Sequence, residues 1–156
     1  MINALDGVLT FENIYLFANW GVVPFWLLLI LMPNHNITKF FSHSIIVPLL
    51  LAVAYIFVVR QIILEGNTFE GFKLYLGLDG LDEMYTNESF RLVFWLHFLA
   101  LSLFVGAWIA RDGERHTVPK ALLSPCIIIT YFTGPFGIVI YWFVRIFYAK
   151  KINFNE

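Results

Sequence analysis

Four stretches of this chain are long and apolar enough to cross a lipid bilayer, and no other feature constrains its fold as strongly. They run from about Phe11 to Met32, Ser44 to Leu64, Phe90 to Ala110 and Ala121 to Tyr148. A helix needs ~20 mostly apolar residues to span ~30 Å of hydrocarbon. Charged residues make up 13% of the 156, about half the share with which a soluble domain coats its surface. That excludes an ordinary water-soluble enzyme and a disordered segment. The length allows one domain. The expectation is therefore an all-α polytopic membrane protein, a single four-transmembrane-helix bundle over residues 1–156.

The ends of the stretches carry the expected punctuation. Pro33-Asn34 stops the first helix. Arg60 sits close enough to the end of the second to snorkel, and Arg91 and Arg111 bracket the third. The fourth carries Gly134-Pro135 at its middle. Pro135 has no N–H for the carbonyl four residues back, so a kink is predicted there, with the Thr133 hydroxyl compensating the freed carbonyl. No Lys or Arg precedes Lys39, so the basic start of a cleavable signal peptide is missing and the first helix is expected to stay. Four spans put both termini on one side. That side would hold Arg60, Lys73, Arg91, Arg145, Lys150 and Lys151, against Lys39, Arg111, Arg115 and Lys120 opposite. This tilt predicts cytoplasmic termini, in a bacterial inner membrane or a plastid-type membrane, with Arg145 snorkelling beside Lys150 and Lys151. The connection over residues 65–89 is acidic, with Phe69, Phe72, Leu74, Tyr75, Leu76 and Leu78 interleaved. It reads as a wet loop or as an interfacial lid or docking segment.

Several chemistries are set aside. A net charge of −1 gives no basic footprint, so no nucleic-acid partner is expected. The lone Cys126 excludes an internal disulfide. His35, His43, His97 and His116 never fall three or four apart, so no helix offers two imidazole ligands; neither metal nor cofactor is expected.

In a lipid-facing bundle the informative positions are polar, small or bent. Ser102, Gly106 and Ala110 form a small-residue stripe on the third helix, suited to close helix packing. Another face carries His97, Leu101, Phe104, Trp108 and Asp112. His97 lies about two turns inside its span, where an ionisable group marks a functional site by default; it is the candidate catalytic residue. Asn19 is deep in the first helix, where its amide must find a partner. Cys126, Thr130, Thr133, Gly137 and Tyr141 share a face of the fourth helix. Asn19, Trp95, Thr130, Thr133 and Tyr141 are the candidate substrate-binding residues.

In order, the chain reads Pro33-Asn34, Ile37-Thr38-Lys39, Trp95-x-His97, Leu103-Phe104-Val105-Gly106-x-Trp108-Ile109, Pro125-Cys126, Thr133-Gly134-Pro135-x-Gly137 and Tyr141. This series resembles the small membrane proteins named for the plant abscisic-acid-deficient-four protein, over about Trp20 to Arg145. The resemblance implies a four-helix plan and, from the plant members, a part in making neoxanthin from violaxanthin. That conversion turns an epoxy end group into an allene, an isomerisation needing an acid, a base and no cofactor. The chain departs from the family pattern at Ser102 and Ala107, where an Asp and an Arg would be expected. Two functions lead as expectations, ahead of a small proton or solute carrier made by oligomerisation, which has only His97 in its favour. One is a protein handling a carotenoid or other isoprenoid, either an isomerase or an accessory to one. The other is a non-catalytic accessory or assembly subunit of a larger membrane complex. Membrane lipid or carotenoid, a second copy of the chain, or complex subunits are the corresponding partners.

Overall fold

In the structure, a computed structural model, Pro24, Pro33, Gly77, Pro119 and Gly134-Pro135 stand where helices of this chain start or stop. The structure describes residues 10–41, 46–66 and 69–149, and every regular element among them is helical. In chain order these are α1 (Phe11–Gly21), α2 (Val23–Leu31), α3 (Asn36–Phe41), α4 (Ile46–Leu64), a 3-10 helix (Glu70–Tyr75), α5 (Leu78–Thr86), α6 (Glu88–Arg115), α7 (Lys120–Thr133) and α8 (Pro135–Ala149). Three helical segments are long and apolar enough to cross a membrane: Phe11–Leu31, Ile46–Leu64 and Glu88–Arg115. The first is α1 and α2 together, interrupted at Val22 just before Pro24. The third extends past its predicted ends, and its 28 residues measure about 42 Å, more than the hydrocarbon layer requires.

The fourth apolar stretch is not one kinked helix. α7 ends at Thr133, Gly134 takes φ 60° and ψ −104°, and Pro135 opens α8. A Cβ on Gly137 would lie 2.7 Å from the Thr130 Cα, whereas seven residues of continuous helix separate two positions by about 10 Å. The chain therefore doubles back, and α7 and α8 pack against each other as a helical hairpin. The positive φ suits glycine, proline is at home in a helix's first turn, and Gly137 lets the two backbones touch. Each arm, 14 and 15 residues, measures about 21–23 Å.

The chain divides into two compact units, one comprising residues up to Gly21 with Leu50–Leu99, the other Val22–Leu49 with the chain from Ala100 on. In the first unit, Thr10 Oγ1 accepts the Asn13 N–H at 3.2 Å and Asn87 Oδ1 accepts those of Ser89 and Phe90 at 3.0 and 3.4 Å, capping α1 and α6. Ile62, Met84 and Phe90 form a core that Leu74, Val93 and Phe94 enclose. Residues 69–86, an acidic connection whose interleaved apolar residues suit an interfacial helix, are largely helical. The 3-10 helix and α5 fold onto each other, with Gly80 so near the Lys73 carbonyl oxygen that a Cβ would not fit. Lys73 pairs with Glu83 at 2.7 Å. Phe69, Phe72, Tyr75, Leu76 and Leu78 stay exposed.

In the second unit, Thr38 is fully buried and donates to the Met32 carbonyl at 2.6 Å, which satisfies the end of α2 across the Pro33-Asn34 turn. Lys39 pairs with Glu114. Trp26 packs edge-on against Tyr131 at 5.2 Å, and Ser124 donates to the Ile30 carbonyl at 2.7 Å, joining α2 to α7. Ser102, Gly106 and Ala110 are buried; a Cβ on Gly106 would meet the Trp26 ring at 2.6 Å.

Candidate functional site

The first stretch of α6 presents two helical faces to two different clefts. Phe90, Val93, Phe94 and His97 line one, of about 450 Å³, together with Tyr55 and Ile62 of α4 and Leu74 and Tyr75 of the 3-10 helix. Their spacing of three and four residues is one side of a helix. The walls are apolar except for one imidazole and two phenols. The His97 and Tyr55 rings are 6.3 Å apart and tilted by 54°. His97 is exposed rather than enclosed by the protein, so the cleft opens where α6 meets its surroundings. Such a cleft takes an apolar ring or chain end and offers it one imidazole, a side chain that can both donate and accept a hydrogen bond.

Glu88, Arg91, Leu92 and Trp95 line the second cleft, about 510 Å³, with Phe11, Glu12 and Tyr15 of α1 and Tyr85 of α5. Tyr85 stacks on Phe94 at 4.9 Å, so one aromatic pair separates the two spaces. Trp95 lies 6.1 Å from Tyr15 and stacks on Phe98 at 5.5 Å, with its indole N–H buried and without a hydrogen-bond partner among the described residues.

The second unit holds a buried polar cluster. Asp112 Oδ2 accepts from Arg145 Nε at 2.7 Å and from the Tyr141 hydroxyl at 2.6 Å. Arg145 Nη2 is 3.4 Å from Asp112 Oδ1 and 3.2 Å from His116 Nε2. His116, one turn beyond Asp112, has its Nε2 3.6 Å from Asp112 Oδ1. Trp108 closes the cluster edge-on to Tyr141 at 5.7 Å. Tyr141 is fully buried and Arg145 is 3% exposed. Arg145 therefore does not snorkel. The doubling-back at Gly134 returns α8 along α6 and sets its guanidinium on a carboxylate, a pairing invisible in a chain read as one long helix. Lys150 and Lys151 lie outside the described residues.

The remaining predicted positions fall as follows. Asn19 is half-buried on α1 and is not among the residues lining the His97 cleft, and Trp95 lines the other cleft. Thr130 is fully buried, gives its hydroxyl to the Cys126 carbonyl at 2.8 Å and backs onto Gly137. Thr133 is exposed and donates to the Ile129 carbonyl at 2.7 Å. Thr130 and Tyr141 belong to the hairpin and its anchor, His97 and Trp95 to the first unit. The sequence reading missed Tyr55, Tyr75 and the Asp112–Arg145 pair. For Asp112 the signal was present, an acid on the helical face that carries Trp108.

The fold and this site define an all-helical protein with three membrane-length apolar helices and an apolar cleft carrying one histidine. The family model described as ABA DEFICIENT 4-like matches residues 13–141, and the chain belongs to that family. It is 26% identical over 132 residues to Protein ABA DEFICIENT 4, chloroplastic, of Arabidopsis thaliana, covering 78% of this chain. The aligned region spans 60% of that relative's length. No solved structure matches.

Proposed function

We propose that this protein is an integral membrane protein that handles a carotenoid or related isoprenoid, with the His97 cleft as the place where its end group is held. The observation that carries the reading is the cleft itself: apolar walls of Val93, Phe94, Phe90 and Leu74 around one imidazole, on a chain of the ABA DEFICIENT 4-like family. A ring with one oxygen fits such walls, and its polyene would continue along the apolar outer surface of the helices.

The chemistry assigned to the cleft is the epoxide-to-allene isomerisation that the family resemblance implies. The Tyr55 phenol gives a proton to the epoxide oxygen as the C–O bond breaks. His97 removes a proton from the carbon that becomes the central atom of the allene, and that electron pair forms the new double bond. The imidazolium then returns a proton to the phenolate, so the cycle consumes nothing. Positioned acid–base groups contribute about 10²–10⁴-fold. The test is His97→Ala and His97→Gln in full-length protein purified in mild detergent. Both variants should keep the pigment that co-purifies with the wild type and lose turnover by about that factor. Unchanged turnover by either folded variant refutes the catalytic role.

The accessory-subunit reading has its own observation. Phe69, Phe72, Tyr75, Leu76 and Leu78 are all more than 60% exposed, a larger apolar display than the ends of two helices need. On this reading, deleting Phe69–Tyr75 releases partner subunits from the native complex, while His97→Ala changes nothing. An intact complex after the deletion refutes it.

A further inference from the structure

We infer that the second cleft, on the opposite face of α6 from His97, binds the headgroup of a choline-type phospholipid. The inference does not depend on what the His97 cleft does. Its walls combine two chemistries. Tyr15, Tyr85 and Trp95 supply aromatic faces, with the Tyr15 and Trp95 rings 6.1 Å apart at 41°. Glu12 and Glu88 supply two carboxylates, and Arg91 a single guanidinium. Aromatic faces with nearby carboxylates hold a quaternary ammonium by cation–π attraction and charge, without asking it for a hydrogen bond it cannot give. A guanidinium holds a phosphate. A zwitterionic headgroup carries both charges a few bonds apart, as Arg91 and the two glutamates lie on one cleft.

The position of the cleft agrees. Glu12 is in the first turn of α1, and Glu88 and Arg91 are at the start of α6. A neighbouring cleft of about 500 Å³ shares Glu12 and Glu88 and reaches Gln61 and Glu65 at the end of α4. Three membrane-length segments thus end at these clefts, at the depth where headgroups lie. A third carboxylate, Glu65, adds to the negative field and disfavours a purely anionic headgroup. A volume of about 510 Å³ admits a headgroup, with the acyl chains running down the apolar flank of α6 past Leu92.

The test uses the full chain in a mild detergent and native mass spectrometry. The probes are dihexanoyl phosphatidylcholine, phosphatidylethanolamine and phosphatidylglycerol. The choline lipid should be retained above the ethanolamine lipid, and the glycerol lipid lost. Glu12→Gln with Glu88→Gln, or Tyr85→Leu alone, should cut choline-lipid retention about tenfold, a typical weight for a desolvated cation–π or charge-assisted contact. In the unmodified protein, tetramethylammonium should displace the lipid and inorganic phosphate should not, so the result does not hang on the variants folding. Retention of phosphatidylglycerol at the level of the choline lipid overturns the inference, and so does displacement by phosphate alone. Equal retention of choline and ethanolamine lipids removes the aromatic part of the argument and overturns it likewise.

Discussion

Removing the Asp112 carboxylate should cost far more stability than removing its ion pair altogether. The carboxylate serves two buried donors, the Arg145 guanidinium at 2.7 Å and the Tyr141 hydroxyl at 2.6 Å. In Asp112→Leu both lose this acceptor, and Arg145, 3% exposed, keeps His116 Nε2 at 3.2 Å. Breaking one partner of a buried pair typically costs 3–5 kcal/mol, and an unsatisfied hydroxyl adds about 1–3 kcal/mol. Arg145→Met should cost less, because Asp112 keeps Tyr141 and has His116 Nε2 at 3.6 Å. In the combined Asp112→Leu, Arg145→Met, Tyr141→Phe variant the carboxylate, the guanidinium and the hydroxyl are removed together, and apolar replacement of a buried pair is often neutral or stabilising by 1–4 kcal/mol. The predicted order, from least to most stable, is Asp112→Leu, Arg145→Met, then the triple variant at or near the wild type. Equilibrium unfolding of the purified protein in SDS titrations, followed by circular dichroism, measures it. Losses that add across the three sites to within about 0.5 kcal/mol would mean the groups do not interact, and the cluster as described would be wrong.

Gly137→Ala should destabilise the hairpin by at least the 1–3 kcal/mol of ordinary overpacking, because its Cβ would stand 2.7 Å from the Thr130 Cα, a backbone atom that cannot swing away. Gly106→Ala meets only the edge of the Trp26 ring, at 2.6 Å, and should cost less; the same unfolding titration ranks the two, and the reverse order would refute the doubling-back. Asn87→Ala removes the side chain that accepts from Ser89 and Phe90 and should cost about 1 kcal/mol, with faster amide exchange confined to the first turn of α6.

Much of the architecture was legible because a bilayer demands little beyond length and apolarity: three of the four stretches appear where hydropathy put them. Their punctuation was legible too. Pro33-Asn34 ends α2, and Thr38, met in the sequence only as part of a motif, closes the turn by taking up the Met32 carbonyl. What composition cannot show is backbone direction. Gly134-Pro135-x-Gly137 is compatible with a kinked span and with a hairpin, since proline permits both. The choice rests on a positive φ at Gly134 and on how closely Gly137 approaches Thr130. The misplacement of Thr130, Tyr141 and Arg145 descends from that choice. With the fourth stretch straight, Tyr141 and Thr130 look into a bundle and Arg145 reaches for water; doubled back, they fasten α8 onto α7 and α6. His97 was found as an ionisable side chain in an apolar run, whereas Tyr55 and Tyr75 are ordinary aromatics until the fold sets them around it.

The hairpin also decides which membrane face the end of α8 occupies. The guanidinium of Arg145 and the carboxylate of Asp112 are in contact, so the last turn of α8 lies beside the last turn of α6. Glu88 and Arg115 are at opposite ends of a helix about 42 Å long, so the two ends of α6 face opposite sides if it crosses the bilayer. Glu88 shares its clefts with Thr10 and Glu12 at the start of α1. A single fourth span would put Ala149 on the side of Thr10; a hairpin with arms of about 21–23 Å, too short for ~30 Å of hydrocarbon, puts it on the side of Arg115. With Cys126→Ser as background, Thr10→Cys and Ala149→Cys should react with a membrane-impermeant maleimide from opposite faces of sealed vesicles, and Arg115→Cys from the same face as Ala149→Cys. Labelling of Thr10→Cys and Ala149→Cys from one face would restore the single span and remove the physical basis for the buried Asp112–Arg145 pair.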